Sequence, residues 1–455
     1  MPLMPVTDSM FLLVETREHP MHVGGLQLFR KPEGAGPEYL STLRQHLLEA
    51  TELRDLFRRR PARPVNTLGH LAWTEDNELD LDYHFRHSAL PQPGRIRELL
   101  ELTSRWHSTL LDRHRPLWEI HLVEGLRDGR FALYSKVHHA LLDGVSALRH
   151  LQNMLSEDPA AMDCPPPWGA RGRPRSRAGR GRGSPLGALG RTAGQLAGLA
   201  PAAFKVANEA FREHTLTMPL QAPKTMLNVP IGGARRFAAQ SWPLSRVRAI
   251  ASAAGVSRND VVLAMCAGAL RDYLIEQRAL PDTALTAMVP VSLRKPSEGL
   301  ADASGNSIGA LLCNLGTDIA DPARRLAAIH KSMCDGKALF KQLTPLQTLL
   351  LSAINVAALG ASPVPGVVNN TRPPFNIVIS NVPGPRRQMY WNGAALDGVY
   401  PASVLLDGQA LNITLTSNGD NLDFGITGCR RSVPHLQRIL LHLDTALAEL
   451  EAAIR

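Results

Sequence analysis

A segment rich in proline, glycine and arginine, from Cys164 to about Pro185, divides this 455-residue chain into two parts. Its sequence, CPPPWGARGRPRSRAGRGRGSP, cannot bury enough apolar surface to fold by itself and is typical of a mobile linker. The residues from Leu186 to about His214 alternate alanine and leucine with few charges, which predicts a helical connector. A chain of this length is also too long for one ordinary core. We therefore predict three segments: 1–163, 164–215 and 216–455.

Both predicted domains mix segments of helical period with segments that alternate like strands, and no internal repeat is evident. This mixture predicts an α/β or α+β fold. No uninterrupted stretch of about 20 apolar residues is present, so we expect no transmembrane helix. The N-terminal residues lack the basic region of a secretory signal peptide.

The formal charge of +9 is concentrated in one place, because six arginines between 171 and 182 account for six of those nine charges. A globally basic nucleic-acid-binding protein is therefore not indicated, and we expect no nucleic-acid partner. Residues 171–175 resemble the core of an AT-hook, an arginine arm that binds the minor groove. We favour a solvated basic linker, which could also rest on an anionic membrane.

The five cysteines are odd in number and scattered, with no CxxC spacing. This pattern argues against a disulfide framework and a zinc site, and it favours a reduced, cytoplasmic compartment.

An uncharged, strongly apolar stretch follows Thr344 and Pro345, which together predict the start of a helix. The helix from Leu346 to Leu359 has only a narrow polar stripe. A helix of this kind is either buried, as core or channel wall, or inserted into a lipid surface. We favour burial.

The most informative segment runs from Phe131 to His139 and alternates like a strand. Side chains of a strand point to opposite faces in turn, so His138 and His139 should lie on opposite faces. The two imidazoles then cannot easily share one metal ion. His139 is on the apolar face, where desolvation favours a neutral imidazole that can accept a proton near pH 7.

A tight turn at Asp143 and Gly144 follows the strand, and the next residues, Val145 to Leu155, predict a helix. A core histidine followed by a plain Asp-Gly turn would also account for this pattern. However, two histidines, an aspartate and a glycine at this spacing resemble the HHxxxDG motif of the CoA-dependent acyltransferase superfamily. That superfamily includes chloramphenicol acetyltransferases, plant alcohol acyltransferases and the condensation domains of peptide synthetases.

Further segments narrow the resemblance to the bacterial wax ester synthase/diacylglycerol acyltransferase family, in the order that this family shows between about residues 5 and 430. They are Met21–Gly25, Arg115–Glu119, Asn259–Asp260, Val291–Arg294, Gly305–Asn306 and Ser380–Pro385.

The resemblance implies two chloramphenicol-acetyltransferase-like domains with a tunnel at their interface, and His139 midway along it. It implies transfer of a long-chain acyl group from acyl-CoA, a co-substrate, to a diacylglycerol or fatty alcohol, giving triacylglycerol or wax ester. No bound cofactor or metal is expected. His139 is the expected general base beside His138. The amide of Asn259 is the expected partner of the oxyanion, although a helix-capping box at Ser257–Asp260 would also explain that segment.

In this superfamily the motif aspartate orients its loop through an arginine, so Asp143 and Gly144 are expected to support the site, with Arg294 as partner. Arg294 could equally be a surface charge. Five further residues are expected near substrate, although the first three could simply begin a strand with a core tryptophan: Pro116, Leu117, Trp118, Gly305 and Asn306.

Two alternatives from other classes stay open. Gly305–Gly309 satisfies the GxSxG pattern of a serine lipase or esterase with Ser307 as nucleophile, although the surrounding residues do not predict the strand–serine–helix context that this motif requires. The second alternative is a non-catalytic protein that binds a lipid surface. For an enzyme with water-insoluble products, we expect peripheral association with a membrane or lipid droplets. The sequence leaves the oligomeric state open.

Overall fold

The computed structural model describes residues 3–50, 53–63, 71–169, 220–292, 308–342 and 367–454. Several predicted features lie outside these ranges: the linker arginines 171–182, the connector, the apolar helix 346–359, Arg294, Gly305, Asn306 and Ser307.

The described residues form strands and helices that alternate along the chain. The strands are β1 (His22–Arg30), β2 (Arg59–Ala62), β3 (Ala72–Glu75), β4 (Phe85–Ala89), β5 (Trp118–Glu124), β6 (Phe131–His138), β7 (Arg235–Pro243), β8 (Thr286–Ser292), β9 (Ile308–Asn314), β10 (Ile377–Val382), β11 (Tyr390–Trp391), β12 (Ala394–Ala402), β13 (Leu411–Asn418) and β14 (Asn421–Cys429). The α-helices are α1 (Val6–Val14), α2 (Tyr39–Glu49), α3 (Leu81–His84), α4 (Ile96–Ser108), α5 (Gly144–Asn153), α6 (Leu244–Ala254), α7 (Arg258–Glu276), α8 (Pro322–Gln342), α9 (Val367–Asn370) and α10 (Arg438–Ala453).

Two six-stranded sheets organise the fold. The first has the order β11-β12-β1-β6-β5-β4 and the second the order β7-β14-β13-β10-β8-β9. Most neighbouring strands are antiparallel, whereas β4–β5, β10–β13 and β8–β10 are parallel. The predicted mixed α/β fold is confirmed, because helices and mixed sheets alternate in both halves of the chain.

The first sheet is completed by strands from the second half of the chain. β12 pairs antiparallel with β1, from Gly24 opposite Ala402 to Arg30 opposite Ala395, and β11 pairs with β12. Most of β12 is buried, since it lies within this sheet and also contacts β14 of the other one. The predicted segment 216–455 therefore contributes two strands to the sheet of segment 1–163, which local sequence patterns did not indicate.

The second sheet packs against helices that are themselves deeply buried. α7 is buried along most of its length, from Asp260 to Leu274, and contacts α6, α8 and α10. Its apolar residues are spread around the helix, as expected for a helix enclosed on all sides. This packing fixes the position of the first turn of α7.

The two sheets are joined by side chains that satisfy backbone groups across the interface. The hydroxyl of Ser104 on α4 accepts a hydrogen bond from the Phe237 backbone N–H at 2.9 Å. The carboxylate of Asp423 on β14 accepts one from the Val399 backbone N–H at 2.7 Å. These contacts hold the halves together; the tunnel between them stays a prediction. Within the described residues, no helix is both long and apolar enough to span a bilayer.

Candidate active site

The two histidines of the motif lie where β6 ends and the chain turns. β6 pairs with β1 up to His138, and the His139 backbone N–H extends the ladder by donating to the Met21 carbonyl at 2.8 Å. The chain then reverses, with the Leu141 N–H donating to the His138 carbonyl at 2.9 Å. α5 begins at Gly144, so the strand, the turn and the helix hold the motif on regular backbone.

The imidazole of His139 is largely enclosed and stacks on Phe11 of α1, with ring centroids 4.1 Å apart. Its Nδ1 is buried and has no hydrogen-bond partner from another described residue. Burial lowers the pKa of His139, and the negative charge of Asp143 offsets part of that shift. A ring with a lowered pKa is neutral at pH 7 and can accept a proton.

His138 is fully buried and is held by a carboxylate. Its Nε2 lies 3.3 Å from Oε1 of Glu15, and its Nδ1 accepts a hydrogen bond from the Ala140 N–H at 3.1 Å. The acceptor role of Nδ1 places the proton on Nε2, towards the carboxylate; the tautomer is assigned from these partners. His138 therefore connects the turn after β6 to the end of α1.

Glu15 is anchored from three directions. It accepts hydrogen bonds from the Met21 backbone N–H at 3.1 Å and from the Arg113 guanidinium at 2.9 Å, besides its contact with His138. Burial alone would raise the pKa of Glu15, but the close contact with His138 and the hydrogen-bond donors Met21 and Arg113 lower it below its ordinary value. The side chain is therefore a buried carboxylate at neutral pH.

Asp143 acts as the N-cap of α5. Its Oδ1 accepts a hydrogen bond from the Ser146 N–H at 2.7 Å, which satisfies one of the free donors of the first turn. The observed helix agrees with the predicted one within two residues. The pair of Asp143 with Arg294 stays a prediction, because Arg294 lies outside the described residues.

Two substitutions distinguish the helix-capping role of Asp143 from the effect of its charge on His139. Asp143→Ala is expected to lower the free energy of unfolding by about 1 kcal/mol through loss of the cap. Asp143→Asn keeps a good cap but removes the charge that raises the pKa of His139. We expect the acid limb of the pH profile of kcat/KM to move to lower pH in this variant. An unmoved limb at unchanged stability would contradict the electrostatic role.

Residues 116–118, which were predicted to lie near substrate, contact the backbone of the histidine motif and pack beneath it in the first sheet. The Leu117 carbonyl accepts a hydrogen bond from the His138 backbone N–H at 3.0 Å, and Pro116 precedes it in the same turn into β5. Trp118 is buried, and its indole N–H donates to the Phe57 carbonyl at 2.9 Å. Trp118 lines a small apolar pocket of about 30 Å³ between α5 and the first sheet, together with Leu142 of the motif turn.

Asn259 lies on the first turn of α7, next to the expected capping box. The Ser257 hydroxyl accepts a hydrogen bond from the Asp260 N–H, and the Asp260 carboxylate accepts one from the Ser257 N–H. The Asn259 side-chain carbonyl accepts a weak hydrogen bond from the Asn381 amide at 3.4 Å. No hydrogen bond or ion pair joins Asn259 to His139 among the described residues, so its oxyanion role stays a prediction.

The serine-hydrolase pattern lacks its required context on the side that the structure describes. A nucleophile elbow has a helix directly after the serine, whereas the strand β9 begins at Ile308, immediately after Ser307.

Three site residues were not predicted from the sequence: Phe11, Glu15 and Arg113. Phe11 and Glu15 come from the N-terminal helix and its end, and Arg113 from a loop before β5. Each is far in sequence from the motif and carries no motif of its own. A carboxylate placed directly after the apolar run of α1 was the only local signal.

Two family models match the chain. The wax ester synthase/diacylglycerol acyltransferase catalytic domain matches residues 4–262, and the C-terminal domain of the same family matches residues 304–451.

Among curated proteins, the chain is 55% identical over 454 residues to a probable diacylglycerol O-acyltransferase of Mycobacterium tuberculosis, covering 100% of both chains. It is 43% identical over 462 residues to the O-acyltransferase WSD of Acinetobacter baylyi, covering 100% of this chain and 97% of that one.

Among solved structures, the fold is similar to a wax ester synthase/diacylglycerol acyltransferase from Marinobacter aquaeolei VT8. The TM-score is 0.78 at 44% identity, and the match covers 100% of both chains. The first condensation domain of the CDA synthetase superposes with a TM-score of 0.58 at 18% identity, covering 100% of this chain and 96% of that one. At 18% identity, the match to the condensation domain shows only that the two proteins share a fold.

Proposed function

This chain belongs to the wax ester synthase/diacylglycerol acyltransferase family, as its motifs predicted, and we propose that it transfers a long-chain acyl group from acyl-CoA to the hydroxyl of a diacylglycerol or fatty alcohol. The product is triacylglycerol or wax ester. The observation that carries the proposed mechanism is His139, an enclosed imidazole with a lowered pKa, whose Nδ1 has no hydrogen-bond partner from another described residue.

In the proposed reaction, His139 removes the proton from the acceptor hydroxyl while its oxygen attacks the thioester carbonyl. The tetrahedral intermediate collapses, the carbon–sulfur bond breaks, and the imidazolium returns the proton to the departing CoA thiolate. The acyl group passes directly from sulfur to oxygen, so this route requires no acyl-enzyme, metal or bound redox cofactor. The ester and free CoA are the only products.

We assign stabilisation of the oxyanion to Asn259, whose side-chain carbonyl is engaged by Asn381 while its amide group can still donate. A preorganised donor of this kind is typically worth about 3 kcal/mol in the transition state. The positive end of α7 adds to it.

The direct test is to incubate the protein with palmitoyl-CoA and either dioleoylglycerol or hexadecanol. We expect equal amounts of free CoA, detected as thiol, and of neutral lipid, detected by mass spectrometry. Hydrolysis of an ester in the absence of CoA would instead support the lipase alternative. Release of CoA without ester would contradict transfer to a lipid alcohol.

Replacing Ser307 by alanine is expected to leave most acyl transfer, because the proposed chemistry assigns no covalent role to this hydroxyl. The measurement is kcat for CoA release, compared with the melting temperature of the variant. Complete loss of transfer in a correctly folded variant would restore the serine-nucleophile hypothesis.

We further propose that the protein works in the cytoplasm at a membrane or lipid-droplet surface, with the arginines between 171 and 182 attracted to anionic headgroups. Each arginine near such a surface contributes about 1 kcal/mol, and salt screens this attraction. We expect deletion of 171–182 to reduce flotation with phosphatidylserine vesicles at low salt but to preserve turnover of detergent-dispersed substrate. Equal flotation with and without the arginines would leave the apolar stretch 346–359 as the adhesive segment.

A further inference from the structure

The outer face of α1 carries a group of apolar side chains. Among the described residues, nine large apolar side chains are exposed, and four of them lie on or beside this helix: Leu3, Met10, Leu13 and Leu110. Met10 and Leu13 are 49% and 58% exposed, and their spacing of three positions places them on one side of the helix. Single exposed apolar residues need no explanation, whereas a cluster of them marks a contact surface. We call these four residues the apolar face of α1.

The apolar face extends beyond both ends of α1. Leu111 lies in the same buried cluster as Leu12 of the helix, and the Arg113 guanidinium donates a hydrogen bond to the Leu12 carbonyl at 2.8 Å. The segment that contains Leu110 is thereby held against the end of α1, with the Leu110 side chain 37% exposed. Leu3 precedes the start of the helix and is 58% exposed. The apolar face is therefore anchored to the core of the first half of the chain.

The apolar face is uncharged. α1 contains one charged residue, Asp8, which precedes Met10 by two positions and Leu13 by five. At 3.6 residues per turn, Asp8 falls on the opposite side of the helix from both. The hydroxyl of Ser9 donates a hydrogen bond to the Pro5 carbonyl at 3.1 Å, so it is satisfied locally. An uncharged surface beside satisfied polar groups fits an apolar environment and offers nothing to a charged partner.

The inner face of the same helix covers the proposed base. Phe11 stacks on the imidazole of His139, with ring centroids 4.1 Å apart. Leu12 packs with Leu117 and Ala140 in the buried cluster next to that ring. An α-helix with its side chains is roughly 10 Å across. Whatever contacts the apolar face of α1 therefore lies only about one helix diameter from His139.

The chemistry of this family brings the enzyme to a lipid surface. Diacylglycerols and fatty alcohols are insoluble in water and reside in membranes or droplets, so their hydroxyl reaches a base in the protein only where the protein contacts that lipid. A helix with one apolar side lies in the plane of such a surface, with that side buried about 5–10 Å among headgroups and acyl chains. An uncharged apolar face above the proposed base is suited to this contact, whereas a basic segment attracts only the headgroups.

We propose that α1 docks on the lipid surface that holds the acceptor, with Met10 and Leu13 inserted among the acyl chains and the rest of the apolar face at the margin. This inference rests on the proposed function and deepens it, because it identifies a surface through which the enzyme meets its water-insoluble acceptor. It adds α1 to the segments 171–182 and 346–359 as a site of attachment. Contact of this kind is apolar, so salt does not weaken it, in contrast with the attraction of the linker arginines.

The binding test is flotation with uncharged vesicles of phosphatidylcholine and dioleoylglycerol, at low and at high salt. In the double variant Met10→Ser/Leu13→Ser, we expect the partition coefficient to fall by about tenfold for each side chain at both salt concentrations, because the exposed apolar area no longer enters the lipid. Ile275→Ser/Leu441→Ser is the matched control, since these side chains are 48% and 64% exposed on α7 and α10. Equal binding by the two double variants would overturn the inference, and so would binding that is lost at high salt.

A second variant tests the same contact by gain of signal. Leu13→Trp keeps an apolar side chain at this position, and we expect it to bind the vesicles at least as tightly as the wild type. Its added indole should be quenched by brominated phosphatidylcholine, beyond any quenching of the six native tryptophans. An indole that stays unquenched in the vesicle-bound protein would overturn the inference.

Turnover separates docking from the reaction itself. With palmitoyl-CoA as donor, we expect Met10→Ser/Leu13→Ser to lose turnover of dioleoylglycerol in vesicles in proportion to its lost binding, but to keep wild-type kcat with the same acceptor dispersed in detergent. Equal losses in both forms would overturn the inference, as would a changed oligomeric state with unchanged flotation, since the face would then bind a second copy of the chain. Vesicle binding by a wild type that forms no ester would contradict the proposed function while leaving the docking surface intact.

Discussion

Replacing His139 by alanine is expected to lower kcat for acyl transfer by about 10²–10⁴-fold, the usual contribution of a positioned general base. The variant should still fold, because the His139 side chain makes no hydrogen bond to another described residue and its main partner is the ring of Phe11. Its backbone hydrogen bond to Met21 does not depend on the side chain. The measurement is single-turnover ester formation from palmitoyl-CoA, with circular dichroism to verify folding.

His138→Ala is the matched control, because it removes the same side chain from the neighbouring position. We expect more turnover per folded molecule than in His139→Ala, but lower stability, since the Ala140 N–H loses its acceptor and Glu15 loses one of its three partners. If His138→Ala lost the chemical step while His139→Ala retained it, the assignment of the base would be wrong.

Short-range features of this site were predictable from the sequence. The alternation before His138 indicates β6, and the Asp-Gly pair indicates the start of α5. The capping box at Ser257–Asp260 is likewise present. Each of these patterns links residues within about four positions, where backbone geometry alone determines which groups can meet.

Long-range features could not be predicted in the same way. β12 completes the first sheet although it follows that sheet's other main strands by more than 200 residues. The partners of Asp143 divide in the same way. Its local hydrogen bond from the Ser146 N–H is described, whereas a pair with the distant Arg294 stays a prediction. A side chain's choice between local and distant partners depends on packing, which a single sequence does not display.

Glu15 is the residue whose loss should destabilise the fold most among those at the site. Its carboxylate is 1% exposed and has three partners, of which His138 is fully buried. Removing one member of a buried ionic group leaves the others desolvated and unpaired, which costs about 3–5 kcal/mol. Because the Arg113 side chain is 40% exposed and can be resolvated, we expect Glu15→Ala to lower the free energy of unfolding by about 3 kcal/mol.

Urea denaturation of three variants tests this expectation. Glu101→Ala is the matched control, since it breaks an exposed pair with Arg97 on α4 and should cost less than about 0.5 kcal/mol. Glu15→Gln keeps a hydrogen-bond acceptor and loses only the charge, so its stability should lie between those of the wild type and Glu15→Ala. A cost for Glu15→Ala as small as that of the control would show that the buried group does not stabilise the fold.

The pH dependence of stability tests whether the negative charge of Glu15 is what stabilises the fold. The pKa of Glu15 is lowered on folding, so its carboxylate contributes stability that is complete above its unfolded pKa of 4.5 and is lost as pH falls through the lowered folded value. The stability difference between wild type and Glu15→Gln should therefore be constant near neutral pH and shrink below pH 4.5.

Since Glu15 holds His138, and His138 holds the turn that carries His139, kcat should fall in Glu15→Ala even where the protein is still folded. A destabilised Glu15→Ala variant with wild-type kcat would show that Glu15 stabilises the fold but does not position His139.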